Sequence, residues 1–230
     1  MKKAAISQSN YIPWKGYFDL INSVDEFVIY DTAQYTKHDW RNRNKIKTAQ
    51  GVSWITIPVV AKGKSDQRID EAAVSDQRWR KKHWAAISQS YSKCQYFEKF
   101  NERFKEIILD ESEWRLSKIN YSLIRLICEV LGISTKIYWS SDFELAHGKS
   151  ERLIEICRDL GAEVYLSGPA AKGYLDEPQF NKEGISVEWM NYADYPEYNQ
   201  LHGEFEHGVT ILDLIFNEGP NATKFMKSFG

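Results

Sequence analysis

Short apolar runs in this chain end, one after another, on clusters of small polar residues, and most are followed by residues with helical spacing. Lys2 to Ser7 contains Ala4-Ala5-Ile6 and predicts a strand over about 3–8, after which Pro13 fixes φ for a helix over about 14–22. Glu26-Phe27-Val28-Ile29-Tyr30-Asp31 predicts the next strand, and the order strand, helix, strand favours parallel pairing. Val52 to Val60 predicts another strand, and Ser75 to Tyr91 a helix on which Trp79, His83, Ile87 and Tyr91 recur every four residues. Residues 96–131 read as a helical scaffold broken near Asp110-Glu111-Ser112, with Trp114, Ile119, Leu123, Ile127 and Val130 as its apolar stripe. Thr135 to Trp139 predicts a strand and Ser150 to Leu160 a helix ended by Gly161. Ala162 to Ser167 predicts a strand that turns through Gly168 into a further helix, Gly184 to Tyr192 a last strand, and Val209 to Phe216 a C-terminal helix. The pattern predicts an α/β fold with a mostly parallel sheet and a helical region in the middle of the chain. No repeat, low-complexity stretch or linker divides it, so one domain is expected over 1–230.

Composition narrows the function classes. With 43% apolar and 14% aromatic residues, 230 residues suffice to bury a core. The net charge of -2 gives no global attraction for nucleic acid, and no such partner is expected. Cys94, Cys128 and Cys157 form no close pair, and neither they nor the five histidines have metal-ligand spacing, so no disulfide framework and no bound metal are expected. No run approaches the ~20 apolar residues of a membrane span, and the N-terminus lacks the apolar stretch of a signal peptide. A cytoplasmic protein is the expectation.

The candidate chemistry gathers where strands end. Ser7, Gln8, Ser9 and Asn10 lie at the carboxyl end of the first strand, Gly16 permits close approach of a backbone or ligand, and Asp31 closes the next strand on the same sheet edge. Arg41, Arg43, Lys45 and Lys47 alternate. If extended, they share a face over roughly 20 Å at ~3.3 Å per residue, which suits a diphosphate; the alternative is a charged edge strand that resists aggregation. Tyr11, Trp14 and Trp40 are candidates for stacking on a base or a sugar ring. His83, in Arg80-Lys81-Lys82-His83-Trp84, is either a core residue or an acid/base facing an anion near Lys82. Ser167 and Gly168 open a turn whose amides can meet an anion within reach of Lys172; a plain β-to-α turn is the alternative.

Several of these segments carry a resemblance: Gln8-Ser9-Asn10-Tyr11-Ile12-Pro13-Trp14-Lys15-Gly16-Tyr17-Phe18, Tyr30-Asp31 with Gln34-Tyr35, and Trp40-Arg41-Asn42-Arg43-Asn44. Lys82-His83, Tyr165-Leu166-Ser167-Gly168 and the Pro196 to Gln200 loop complete it. Over nearly its whole length the chain resembles the WbqC-like family of bacterial proteins associated with surface-polysaccharide loci such as those for O-antigen. The resemblance implies a part in making or decorating a sugar. The family pattern usually opens with His-Gln-Pro where this chain has Ser7-Gln8-Ser9, so a histidine there does no chemistry in this protein. More distantly, Trp14-Lys15-Gly16-Tyr17 at a helix start resembles the His-x-Gly-His signature of nucleotidyltransferases with both histidines replaced by aromatics. It implies nucleotide-binding-like strand-turn-helix units without the phosphate-stabilising imidazoles.

The expected function is therefore a transferase acting on a nucleotide-activated amino sugar, by N-acyl or aminoacyl transfer from an acyl donor. A nucleotide sugar or other phosphorylated small molecule is the expected partner. His83 or Asp31 would be the base. Gln8, Asn10, Tyr11, Trp14, Gln34, Trp40, Arg41, Arg43, Lys45, Lys82, Ser167, Gly168 and Lys172 would bind substrate. Two other readings stand beside it: nucleotidyl transfer from a nucleoside triphosphate, and a non-catalytic binding protein of a polysaccharide assembly complex.

Overall fold

The computed structural model describes residues 1–145 and 147–230. Its first strand, β1 (Lys3–Ser7), leads into helix α1 (Lys15–Asn22) and strand β2 (Glu26–Ile29). A hairpin of β3 (Arg43–Thr48) and β4 (Gly51–Thr56) follows, then three helices, α2 (Arg78–Tyr91), α3 (Phe97–Leu109) and α4 (Leu116–Leu131). Strand β5 (Lys136–Trp139), helix α5 (Lys149–Asp159), strand β6 (Val164–Ser167), helix α6 (Glu177–Lys182), strand β7 (Ser186–Trp189) and helix α7 (Ile211–Glu218) complete the order.

Five strands pair in parallel in the order β5-β2-β1-β6-β7. Counted along the chain among these five, the order is third, second, first, fourth, fifth, as in a doubly wound sheet whose winding reverses between β1 and β6. Alternation in β1 and β2 feeds two separate cores. Ala5, Phe27 and Ile29 face the larger one, with Phe18 and Ile21 of α1, Leu123 and Ile127 of α4, and Ile215 of α7. Ala4, Ile6 and Val28 face the other, with Leu153, Ile154 and Cys157 of α5 and Phe180 of α6. The sheet is thus covered on both sides, which explains why β2 is buried at all four positions.

Four expectations need correction. The strand expected over 52–60 ends at Thr56, since Ile57 donates to the Asn42 carbonyl outside the ladder. Trp114 precedes α4 and is exposed, because the chain at 113–115 turns on the Glu113 carboxylate, which accepts from the amides of Trp114 and Arg115. The α-helix after β6 does not open at Gly168 but at Glu177; Pro169–Gly173 is a short 3-10 turn in which the Ala171 amide already donates to the Gly168 carbonyl. The cationic row is regular strand only from Arg43, and Lys47 turns inward, its Nζ 2.6 Å from Gln200 Oε1.

Candidate functional site

The reversal of winding places the end of β1 beside the end of β6, and a ligand crevice is expected there in such sheets. The chain leaving β1 is firmly anchored. Asp31, just past β2, accepts from the Ser9 amide at 2.8 Å and Ser9 Oγ at 2.6 Å, and from Ser117 Oγ on α4. Asn120, one turn further along α4, donates to Ser9 Oγ at 3.1 Å and to the Arg41 carbonyl at 2.8 Å. Burial raises the Asp31 pKa, while the hydrogen bonds from Ser117 and Ser9 pull it down.

Ile12 carries a positive φ of 37°, a conformation that β-branched residues rarely adopt. It is held there by Asn44 of β3, whose Nδ2 donates to the carbonyls of Tyr11 at 3.0 Å and Ile12 at 2.7 Å. Tyr11 in turn donates its amide to the Trp40 carbonyl at 2.9 Å, joining this loop to the segment before β3. Such over-determined strain is typical of binding loops.

A cavity of about 290 Å³ opens on this junction, lined by Asn10, Pro13, Trp14, Trp40, Asn44 and Gly208. Trp14 leans on Tyr192 and Tyr195, with ring centroids at 5.2 and 5.6 Å, and its indole lies over Gly16. A Cβ on Gly16 would lie 2.3 Å from that indole, so the glycine makes room for Trp14 itself. Arg41 donates to Asn10 Oδ1 and lies 3.5 Å from Asp39, yet its Nε is buried without a partner. Beyond Trp40 stand Trp54, Arg43 and Lys45 on the hairpin, where register pairs Lys45 with Trp54 and Arg43 with Thr56 on one face. A wider groove of about 950 Å³ between α3, α4 and β5 includes Arg103, Tyr121, Arg125 and Glu129 but none of the expected catalytic or substrate-binding residues.

The pattern of the WbqC-like protein family matches residues 8–225, which spans both the anchored loop and the hairpin. The chain belongs to the WbqC-like family. It is similar to the uncharacterized protein Rv1507c of Mycobacterium tuberculosis, 50% identical over 227 residues, which cover 99% of this chain and 98% of that one. No solved structure matches.

In this WbqC-like chain the expected site residues divide sharply. Asn10, Trp14 and Trp40 line the cavity, Arg41 braces Asn10, and Arg43 and Lys45 adjoin Trp40 through Trp54. Gln8 and Tyr11 contribute backbone: the Gln8 carbonyl accepts from Tyr17 Oη at 3.0 Å. Ser167 and Gly168 end β6 near Tyr192, but Gly168 has an ordinary φ of -70° and room for a side chain, so the turn does not depend on glycine.

The rest lie elsewhere. His83 is 5% exposed, its Nδ1 2.9 Å from Tyr11 Oη and its ring 4.9 Å from that of Trp79, and burial pulls its pKa down to about 4. Asp31 is 1% exposed with both oxygens occupied. Neither is on the cavity wall. Lys82 is exposed on α2, Gln34 donates to the Ser65 carbonyl at 2.9 Å, and Lys172 lies over the Trp189 ring at 5.4 Å.

Sequence reasoning passed over Ser117, Asn120, Trp54, Gly208 and the environment of Lys15. Lys15 Nζ donates to the Pro196 carbonyl at 2.9 Å under the rings of Tyr195, Tyr198 and Phe205. Burial lowers its pKa to about 8, with Asp19 and Glu197 opposing. Trp54 had a signal, a lone indole among small residues opposite the cationic row; Gly208 had none. Among the described residues no cluster of His, Cys, Asp and Glu could hold a metal ion, and no helix is long and apolar enough to cross a membrane.

Proposed function

We propose that this protein is a transferase of bacterial surface-polysaccharide biosynthesis that acts on a nucleotide-activated amino sugar by N-acyl or aminoacyl transfer. The observation that carries the reading is the cavity at the β1 exit, lined by Asn10, Trp14 and Trp40, where Asn10 accepts from an arginine whose buried Nε has no partner. Indole walls suit the C–H faces of a sugar ring, Asn10 suits its hydroxyl or amide groups, and Arg41 with Arg43 and Lys45 suits phosphate oxygens.

Acyl transfer to a free amine suits such a site. The amine is itself the nucleophile once unprotonated, so the reaction gains most from holding amine and acyl carbonyl together in the right orientation. In this reading Asp31 and His83 act by position: Asp31 fixes Ser9 and α4, and His83 fixes Tyr11.

A thermal-shift panel of nucleotide sugars, free nucleotides and acyl donors tests the reading. A ligand at 100 times its Kd stabilises by about 2.7 kcal/mol, a shift such a panel resolves. A nucleotide sugar is expected to raise Tm in the wild type and to lose the effect in the double variant Arg41→Ala plus Arg43→Ala. A panel without any nucleotide-sugar binder, or binding indifferent to the double variant, overturns it.

A further inference from the structure

Resting on that reading, the substrate has to extend beyond the cavity. A space of about 290 Å³ takes a sugar ring with its substituents and leaves a nucleotide outside. Trp40 belongs to the cavity wall and also to the outer surface, where it is 42% exposed. Its ring centroid lies 5.3 Å from that of Trp54, itself 43% exposed, and the two planes meet at 37°. Paired this way, the two indoles still leave more than two-fifths of their surface in solvent, an arrangement that marks a binding surface more than a fold requirement.

The cations beside them are unpaired. Arg43 lays its guanidinium over Trp54 at 4.2 Å and Lys45 places Nζ 5.4 Å from the same ring. Among the described residues neither has a carboxylate within ion-pair distance, whereas Arg68, Arg78, Arg103 and Arg115 each have one. Arg43 Nε is also buried without a hydrogen-bond partner. β4 is the uncovered strand of its two-stranded sheet, and its sequence Gly-Val-Ser-Trp-Ile-Thr carries no charge. Edge protection would account for the cations alone and leaves the two exposed indoles unexplained.

We propose that the outer face of the β3–β4 hairpin is a nucleoside-diphosphate platform. Charge complementarity selects the occupant: the base stacks on the Trp40–Trp54 pair, and the diphosphate oxygens take the unpaired guanidinium of Arg43 and the ammonium of Lys45. The attached sugar then passes Trp40 into the cavity.

Calorimetric titration of UDP, UDP-N-acetylglucosamine, inorganic pyrophosphate and an oligouridine RNA into the wild type and four variants tests this. Trp54→Ala is expected to weaken UDP at least tenfold and pyrophosphate less than twofold, with Trp54→Phe within threefold of wild type for both. Arg43→Ala plus Lys45→Ala is expected to weaken UDP and pyrophosphate alike, at least tenfold. Equal affinity of wild type and Trp54→Ala for UDP overturns the platform, as does oligouridine binding ten times tighter per site than UDP. If UDP-N-acetylglucosamine binds wild type and Trp54→Ala equally but fails on Arg41→Ala, the platform falls and the nucleotide-sugar reading stands. If UDP depends on Trp54 but the attached sugar adds no affinity, the platform stands and the sugar cavity falls.

Discussion

His83 shows how burial decides what a residue can do. Its pKa falls from 6.5 to about 4 chiefly because the core excludes water, and a hydrogen bond with the Thr56 backbone only partly offsets this. The native state therefore binds a proton less readily than the unfolded chain between those two values. Stability present at neutral pH is lost as pH falls from 6.5 towards 4. The unfolding free energy from urea titration is expected to drop by about 2 kcal/mol between pH 7 and pH 5, and His83→Gln should remove that slope. A slope unchanged in the variant would place the titration elsewhere. His83 was half legible: the four-residue recurrence with Trp79, Ile87 and Tyr91 announces a buried stripe, and all four are buried. Its partner Tyr11 lies 72 positions away and leaves no local signal. Lys47 is the same case, since only its contact with Gln200, 153 positions on, removes it from the cationic row.

At the scale of elements, the strand-turn-helix at the start of the chain does two jobs with one turn. Pro13 both lines the cavity and accepts from the Ile211 amide at 2.9 Å, tying α7 to the site, while Thr210 donates to the Lys45 carbonyl at 2.9 Å. The alternation and spacing that predict β1, α1 and β2 are local properties, which is why they could be read directly. The irregular segment between β7 and α7 could not, because Lys15, Lys47 and the hairpin hold it in place and no period of its own does. Gly16 offers the sharpest test of this element. A methyl there meets the Trp14 indole at 2.3 Å, and the indole is itself packed on Tyr192 and Tyr195. Gly16→Ala is expected to cost about 1–3 kcal/mol in chemical denaturation through overpacking. It should also weaken nucleotide-sugar binding by moving one cavity wall. Wild-type stability and affinity in the variant would mean that Trp14 shifts freely and does not shape the cavity.

Across the whole molecule, the two cores are joined through a sheet whose strands serve both. Ala5, Phe27 and Ile29 anchor one side, and Ala4, Ile6 and Val28 the other, so neither face can come apart without exposing β1 and β2. The cysteines report on this arrangement. Cys94 and Cys128 lie in the larger core and Cys157 in the smaller, and burial pushes all three thiols up to about 12. A thiol this far above ambient pH and shielded from solvent reacts slowly, so labelling requires opening of its core. Pulse labelling across a urea titration, resolved by mass spectrometry, is expected to modify all three cysteines in one transition that coincides with loss of helical circular dichroism. Labelling of Cys157 at clearly lower urea would show instead that α5 and α6 detach first. In that event the β6 end of the crevice would be the weak side of the site, while the loop after β1, clamped by Asp31, Asn44 and Asn120, would keep its shape.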